Sequence, residues 1–587
     1  MLQMLILRRE IEFQLYENLD TLSLLKRSRF MEHNEHTFSA VLDTAEKIAT
    51  DCFLPHNHLA DQNEPSFDGQ KVTMLPAVKI AYQAFADAGF IAARYDFDEG
   101  GMQLPESVMT ACSGYFMAAN PSSTAYPFLT TAAANVIKHF ASADLKARYL
   151  EPMLAGSYSG TMALTEPHAG SSLAEITTSA TLHADGTYRI KGAKLYISGG
   201  DHELTENIVH LVLAKIPGGP SGVKGISLFI VPKYRGDGDN RVKNDIVLAG
   251  LIHKLGYRGT TSTALTFGEQ GDCHGYLVGE PHKGLQYMFM MMNEARVGVG
   301  YGAAMIGYRG FQYSLEYAKE RLQGGKAIVE HGDVKRMLLA QKAYTEGAIA
   351  LCFYGARLVD DIHTADAEQA RDAAELLDLL TPVIKAWPSE YGPKANDLGI
   401  QVMGGAGYTR EYYAEQFWRD NRLNPIHEGT NGIQALDLLG RKLWQNKQQG
   451  LAQLFALVQT DCAIASGPVG QQAAECISHY LAQMPALIDS LGADLQSKES
   501  QALQLANAEC FMKVFSGVIL AWQWLRQINT AEQRLGTELT SEKADYYHGK
   551  CQAGQYFVRW ELPQIAPYIT LLQNRDDSCH KMRTNWF

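Results

Sequence analysis

Residues Ile208-Val209-His210-Leu211-Val212-Leu213-Ala214, the turn Pro217-Gly218-Gly219-Pro220 and Ile226-Ser227-Leu228-Phe229-Ile230-Val231 form two short apolar runs with no helix between them. Apolar runs of this length, rich in β-branched residues and bounded by Gly and Pro, read as strands. The same texture starts at Gly156 and recurs at 188–190 and 263–267, with another turn composition at 237–240. Residues 156–280 therefore read as a β domain of antiparallel character, because no long helix separates the runs.

Outward from this block the period changes. Residues 37–52, 74–88 and 144–154 carry apolar side chains at three- and four-residue spacing, with polar or Gly/Pro segments at 63–70 and 99–105 between them, which marks a helical domain over 35–155 behind a short extension, 1–34. Downstream, helical patterns run through 285–320, 334–361, 370–387 and 432–444, giving a helical bundle over 281–446. The tail, 447–587, is helical again, with apolar faces in 451–458, 505–525 and 544–562. The fold class is α+β and mainly helical. It comprises an N-terminal helical domain, a middle antiparallel β domain, a C-terminal helical bundle and an extra C-terminal helical domain.

The bulk numbers are those of an ordinary globular chain: 587 residues, 46% hydrophobic and 20% charged,. A formal charge of -12, with no Lys/Arg-rich run, argues against nucleic acid or an anionic membrane as the main partner. The nine cysteines contain no close-spaced pair, which is reduced, intracellular usage. MLQMLIL at the start meets Arg8, Arg9 and Glu10 at once and lacks signal-peptide flanks, and no run approaches the ~20 apolar residues of a membrane span. The expectation is a soluble, cytoplasmic protein.

Pro425-Ile426-His427-Glu428-Gly429-Thr430-Asn431 is the stretch with the most chemical content. Glu428 lies between apolar sequence and a small polar turn, where partial desolvation would raise its pKa and suit it as a proton acceptor. Gly429 and Thr430 precede the apolar-periodic run 433–439, which places the stretch at a helix N-terminus. Glu428 could equally just complement the helix dipole there, and these residues by themselves favour that plainer reading.

Other motifs are weaker. Gly298-Val299-Gly300-Tyr301-Gly302 follows no strand, so it reads as helix packing rather than a dinucleotide fingerprint. Gly325-Lys326 lacks the spacing of a phosphate-binding loop, and His56 and His58 lack metal-ligand spacing, so no metal is expected. The 162–172 stretch, with Thr165, Pro167, Gly170, Ser171 and Ser172, could present hydrogen-bond donors to a ring edge or a pyrophosphate, or be a solvated loop. In 191–200, Tyr196 and Ser198 share one face of a strand, which suits a flat ligand or an ordinary strand edge. The cluster Gly404-Gly405-Ala406-Gly407 could admit a ligand close to the backbone, or be a turn between helices.

In this order, LTEPHAGS (164–171), KGAKLYISGG (191–200), HKLGYRGT (253–260), EARVGVG (294–300), EYAKERLQGG (316–325), QVMGGAGY (401–408) and IHEGTNGIQ (426–434) resemble the FAD-dependent acyl-CoA dehydrogenase family. The resemblance covers about 35–446. EHGDVKRMLL (330–339), ELTENIVHLVLA (203–214), HGKCQAGQYFVRWELP (548–563) and the chain length further resemble the long bacterial subfamily that includes methylmercaptopropionyl-CoA and related fatty acyl-CoA dehydrogenases. The resemblance implies that Glu428 removes the α-proton of an acyl thioester while the β-hydride passes to flavin N5, giving a trans-2-enoyl-CoA. It implies flavin contacts from Met162, Leu164 and Thr165, and a pyrophosphate-side contact from Ser171. Tyr196 would pack on the isoalloxazine and Ser198 would bond near N5. Arg321 would reach the FAD of a neighbouring subunit, so that the protein is at least a dimer. Gln401 and Gly405 would lie on the adenosine side, Thr430 and Asn431 near the phosphates, and Arg296 close to the base. The implied partners are an acyl-CoA and an electron-transfer flavoprotein.

Four positions depart from the family pattern: His427 for a common Tyr, Gly324 for a common aromatic, Asn293 for a common acidic residue, and Gln103 within a glycine pattern. Two other readings of the same fold are an acyl-CoA oxidase and a DNA-associated flavoprotein. The C-terminal Thr584-Asn585-Trp586-Phe587 is no SKL-type peroxisomal signal, which lowers the first. The acidic total opposes the second.

Overall fold

The computed structural model describes residues 5–236 and 240–587, and within them the side chains of all but 290–294, 498 and 499. The turn composition at 237–240 and the start of the N-terminal MLQMLIL fall mostly or partly outside the described residues. The chain forms two compact units, one of His36–Leu104 and Tyr115–Ala295, the other of Met1–Glu35, Pro105–Gly114 and Arg296–Phe587.

The first unit carries helices α1 (Glu35–Ile48), α2 (Pro76–Asp87) and α3 (Pro121–Phe140) and a sheet of eight strands. Helix α3 starts where the Asn120 side chain accepts the Ser123 N–H and Pro121 supplies a preset φ, a combination that satisfies one orphan donor and removes another,. The strands are β1 (Tyr158–Ala163), β2 (Ser179–Leu182), β3 (Tyr188–Ser198), β4 (Asn207–Lys215), β5 (Ile226–Pro232), β6 (Ile246–Leu251), β7 (Ser262–Phe267) and β8 (His274–Leu277). Their order is β6-β7-β3-β8-β5-β4-β1, with β2 against β3 and β4.

The two runs of the opening stretch are β4 and β5, paired antiparallel from Val209 opposite Pro232 to Lys215 opposite Ile226. Antiparallel pairing dominates, but β1 runs parallel to β4. Strand β4 is buried on both faces: Val209, Leu211 and Leu213 pack with α3 residues such as Ala133 and Ile137, while Val212 and Ala214 pack with Ile190, Phe229 and Phe267. Burial on both sides explains why β4 is a continuous apolar run rather than an alternating one.

The second unit is built on three long helices: α4 (Gly284–Glu320), which belongs to this unit from Arg296 onward, α5 (Gly332–Thr364) and α6 (Ala367–Met403). The packing role read for Gly300 is what the structure shows. A Cβ there would lie 1.9 Å from the Ile384 carbonyl oxygen of α6, so only glycine lets the two backbones approach this closely,. Helix α6 runs past the end of the 370–387 pattern, through Pro388 and Pro393, and also contains Pro382. A helical proline leaves the carbonyl four residues back without its N–H. For Pro388 that carbonyl is Ile384, the one against Gly300.

The remainder of this unit includes α7 (Asn431–Gly440), α8 (Ala508–Leu535) and α9 (Ser541–Tyr556). The fully buried Trp524 of α8 donates its indole N–H to the Ala343 carbonyl of α5. The N-terminal segment is part of this bundle: Gln14 bonds Gln527, and Lys550 Nζ lies 2.6 Å from Glu10 and 2.8 Å from Glu346, all with side chains withdrawn from solvent. Two buried carboxylates sharing one ammonium would repel, and Lys342 bonding Glu346 balances the count,.

Candidate active site

The backbone between the helix Ala414–Asn421 and α7 turns sharply. Asn431 N–H donates to the Pro425 carbonyl at 3.0 Å, closing a loop in which Glu428 has φ +54 and Gly429 φ +82. Glycine takes such a φ freely, whereas a glutamate in the left-handed region is strained by roughly 1–2 kcal/mol. Strain of this kind persists where surrounding bonds hold it. Gln434, from the first turn of α7, donates its side-chain amide to the Glu428 and Gly429 carbonyls at 3.3 and 3.2 Å.

Capping of α7 falls to Thr430, whose hydroxyl accepts the Ile433 N–H. The Glu428 carboxylate therefore does not serve the helix end. It is half-buried and, among the described residues, takes part in no hydrogen bond or ion pair. Burial pushes its pKa above the ordinary value of 4.5, while the positive charges of Arg296 and Lys385 pull against that rise,.

Both cations are themselves buried. Arg296 on α4 lies 3.5 Å from Asp437 of α7, and burial lowers its pKa against the pull of Asp437 and Glu428. Lys385 on α6 donates to Asn431 Oδ1 at 3.1 Å, and Asn431 in turn donates to the Ala386 carbonyl at 3.2 Å. Burial brings Lys385 down to about 7, with Glu428 opposing the fall and Arg296 adding to it. His427 is held near 3 by burial and then by Lys385, so it is neutral at ordinary pH. Asn424 donates its amide N–H to Asn421, and its Oδ1 accepts from His427 Nε2 at 3.1 Å, which makes Nε2 the protonated ring nitrogen,.

In the sheet unit, Met162 is the penultimate residue of β1, and Leu164 and Thr165 lead into a tight turn closed by the Glu166–Ala169 bridge; Ser171 beyond it is exposed. The Thr165 carbonyl accepts the Leu195 N–H of β3 at 2.9 Å. Beneath this turn lies the buried pair Glu166–Lys194 at 3.0 Å. The carboxylate receives five donors: Thr177 N–H and Oγ1, Thr178 N–H and Oγ1, and Lys194. The ammonium has two acceptors, Glu166 and the Leu164 carbonyl. Burial opposes the Glu166 charge, but Lys194 and the threonine donors outweigh it and hold the pKa at about 2; Lys194, with fewer partners, is brought by burial to about 8. Both remain charged at neutral pH.

Strand β3 bulges just past this pair, where the register with β7 shifts between Leu265 opposite Lys194 and Thr263 opposite Ile197. Tyr196 takes φ +61 there. Tyr196 is 62% exposed, on the same side as the exposed Ser198, while Ile197 points into the core. A bulge is a usual way to re-aim one side chain of a strand.

Further along the second unit, exposed Arg321 directly follows α4, just before a hairpin of Leu322–Gln323 and Lys326–Ala327. Gly324 and Gly325, at φ +61 and +82, form its two-residue turn, a geometry that an aromatic at 324 would strain,. Gln401 and Gly405 are exposed on either side of the α6 terminus. In the first unit Gln103 has φ +47, so it holds a left-handed position in place of glycine. The side chain of Asn293 lies outside the described residues.

Lys385, Glu166 and Lys194 had no role in the sequence reading. Lys385 sits in the apolar run of α6, where a long basic side chain reads as one reaching to solvent. A lysine flanked by Ile384, Ala386 and Trp387 was the available signal.

Four domain matches span the chain: acyl-CoA dehydrogenase N-terminal domain over 36–157, middle domain over 161–269, C-terminal domain over 282–443, and the acetyl-CoA dehydrogenase C-terminal-like domain over 454–583. The chain is 33% identical to 3-methylmercaptopropionyl-CoA dehydrogenase of Ruegeria pomeroyi over 92% of each protein. It is 30% identical to a broad-specificity linear acyl-CoA dehydrogenase of Mycobacterium tuberculosis over 97% of each. Among solved structures, an acyl-CoA dehydrogenase complexed with FAD from Bacillus anthracis superposes with TM-score 0.75 at 21% identity, over 92% of this chain and 88% of that one.

Proposed function

Because the chain belongs to the acyl-CoA dehydrogenase family, a family of FAD-dependent oxidoreductases, we propose that Glu428 is the base that takes the α-proton of an acyl-CoA thioester, leaving a trans-2-enoyl-CoA. The observation that carries this is the state of Glu428: a strained, half-buried carboxylate with no hydrogen bond of its own, its basicity raised by burial and its charge supported by Arg296 and Lys385. An α-hydrogen beside a thioester is a weak acid, so its acceptor must be both basic and ionised. Arg296, which burial and Asp437 hold in place, keeps the carboxylate charged.

The residues present fit FAD. Tyr196 offers an exposed ring beside the Ser198 hydroxyl, and the Glu166–Lys194 pair holds the Leu164-Thr165 backbone rigid next to them. Met162, Leu164, Thr165, Ser171, Tyr196 and Ser198 are assigned to the cofactor in the sheet unit. Arg321, Gln401, Gly405, Thr430 and Asn431 are assigned to it in the helical unit, Arg321 toward a neighbouring subunit of a homodimer. When bound, FAD supplies the acceptor for the β-hydride. An electron-transfer flavoprotein is the proposed oxidant of the reduced enzyme, and the cytoplasm its proposed compartment. Among the described residues no single helix is long and apolar enough to cross a membrane. The proposed substrate is either a medium- or long-chain fatty acyl-CoA or 3-methylthiopropanoyl-CoA; the names of the relatives range over 3-methylmercaptopropionyl-CoA, linear acyl-CoA and butyryl-CoA dehydrogenases.

The test is anaerobic mixing of the yellow holoenzyme with short, medium, long, branched and thioether acyl-CoAs, read as loss of flavin absorbance. At least one should bleach the wild type rapidly. Glu428→Gln should bind that acyl-CoA and bleach on the order of 10²–10⁴-fold more slowly, the range expected for loss of a positioned base. Bleaching of Glu428→Gln at the wild-type rate would reject the assignment.

A further inference from the structure

We propose that Lys385 is a positioning residue for Glu428: through Asn431 it fixes the turn that bears the base, and it is the second buried cation supporting the carboxylate's charge. This rests on the reading of Glu428 as the base. Lys385 is fully buried on α6, at a place in the helix where the preceding Ile384 backbone is pressed against Gly300 of α4. A lysine confined in this way has no route to solvent, and burying its charge is costly unless it is paired or hydrogen-bonded.

What it reaches is the Glu428 turn. Its one hydrogen-bond acceptor among the described residues is Asn431 Oδ1, 3.1 Å away. Asn431 in turn closes the turn with its backbone N–H on the Pro425 carbonyl and ties it to α6 with its side-chain amide on the Ala386 carbonyl. The amide thus spans the turn and α6, with the lysine ammonium at one end. Gln434 fixes the same turn from α7 through the Glu428 and Gly429 carbonyls, so the left-handed backbone of Glu428 is held from two helices.

The charged and titratable groups facing Lys385 are few. From the turn come Glu428 and the neutral His427; from α4 comes Arg296, itself paired to Asp437 of α7. Arg296 is pulled first by Asp437 and then by Glu428, whereas the carboxylate that acts on Lys385 is Glu428. The amine lies near 7, with burial the main cause, so its charge is present below neutrality and is withdrawn as pH rises through that value. Support for the Glu428 charge is therefore strongest on the acid side, where the base is otherwise lost to protonation.

The variants Lys385→Met, Lys385→Arg and Asn431→Ala separate charge from position, and the readouts are melting temperature and the pH profile of anaerobic flavin reduction by the acyl-CoA that bleaches the wild type. Lys385→Met should fold and move the acid limb of the profile upward by on the order of one pH unit, the size of effect an adjacent opposite charge has on a carboxylate. Lys385→Arg should leave the limb within a few tenths of wild type. Asn431→Ala should lower the plateau rate severalfold and leave the limb in place, because the cation stays. A limb unmoved in Lys385→Met at wild-type melting temperature would overturn the proposal. If Lys385→Met does not fold, an unchanged plateau in Asn431→Ala overturns it. Glu428→Gln run in parallel isolates the underlying reading: wild-type rates there would sink the base itself, whereas a slow Glu428→Gln beside an unmoved Lys385→Met would sink only the role of Lys385.

Discussion

Glu166 and Glu428 are the same side chain in opposite settings. The first receives five donors, an ammonium among them, and is held charged far below the ordinary glutamate range. The second accepts no hydrogen bond among the described residues, sits on strained backbone and is pushed the other way. A carboxylate whose lone pairs are all engaged is a brace, since a proton arriving there must displace bonds already made. One with open lone pairs, and cations close but not bonded, can accept a proton. Burial by itself does not separate the two; the hydrogen bonds do.

Breaking each carboxylate should therefore fail differently. The largest effect is the 10²–10⁴-fold loss of flavin reduction proposed for Glu428→Gln, with little change in melting temperature. Next is Glu166→Ala, which strands Lys194 in the core and should destabilise the sheet unit by about 3–5 kcal/mol; thermal or denaturant unfolding reads it. The acid behaviour of this brace has a definite sign. Its folded pKa of about 2 lies below the ordinary 4.5, so the stability it lends is complete above about 4.5 and is lost as pH falls toward 2,. Thr178→Val is the mildest break: it removes one of the five donors, a bond to a charged group, and should destabilise by about 1.5–3 kcal/mol while leaving the pair in place,.

The sequence carried much of this architecture. The strands β4 and β5, the 37-residue α4 and the start of α7 at Thr430 all follow from local pattern, and Gly300 was legible as a packing glycine though not its partner Ile384 on α6. Glu428 and Tyr196 were legible as residues, but not their left-handed backbone. That conformation depends on Gln434 and Asn431 at the turn, and at β3 on a bulge against a strand some 65 residues later. The Glu166–Lys194 pair spans 28 residues and Lys385–Asn431 spans 46. No periodicity links such partners. The full length of α6 was hidden by Pro388 and Pro393, since proline ends a helix in isolation and is tolerated in a packed one,.

The most direct test is an infrared titration of the holoenzyme, taken as the difference between wild type and Glu428→Gln so that only this carboxyl contributes. The protonated-carboxyl stretch of Glu428 should appear as pH falls, with a midpoint above the ordinary value of 4.5, as expected for a buried carboxylate without hydrogen bonds of its own,. A midpoint at or below 4.5 would mean that Glu428 is as firmly held in its charged form as Glu166, and the distinction between base and brace would fall.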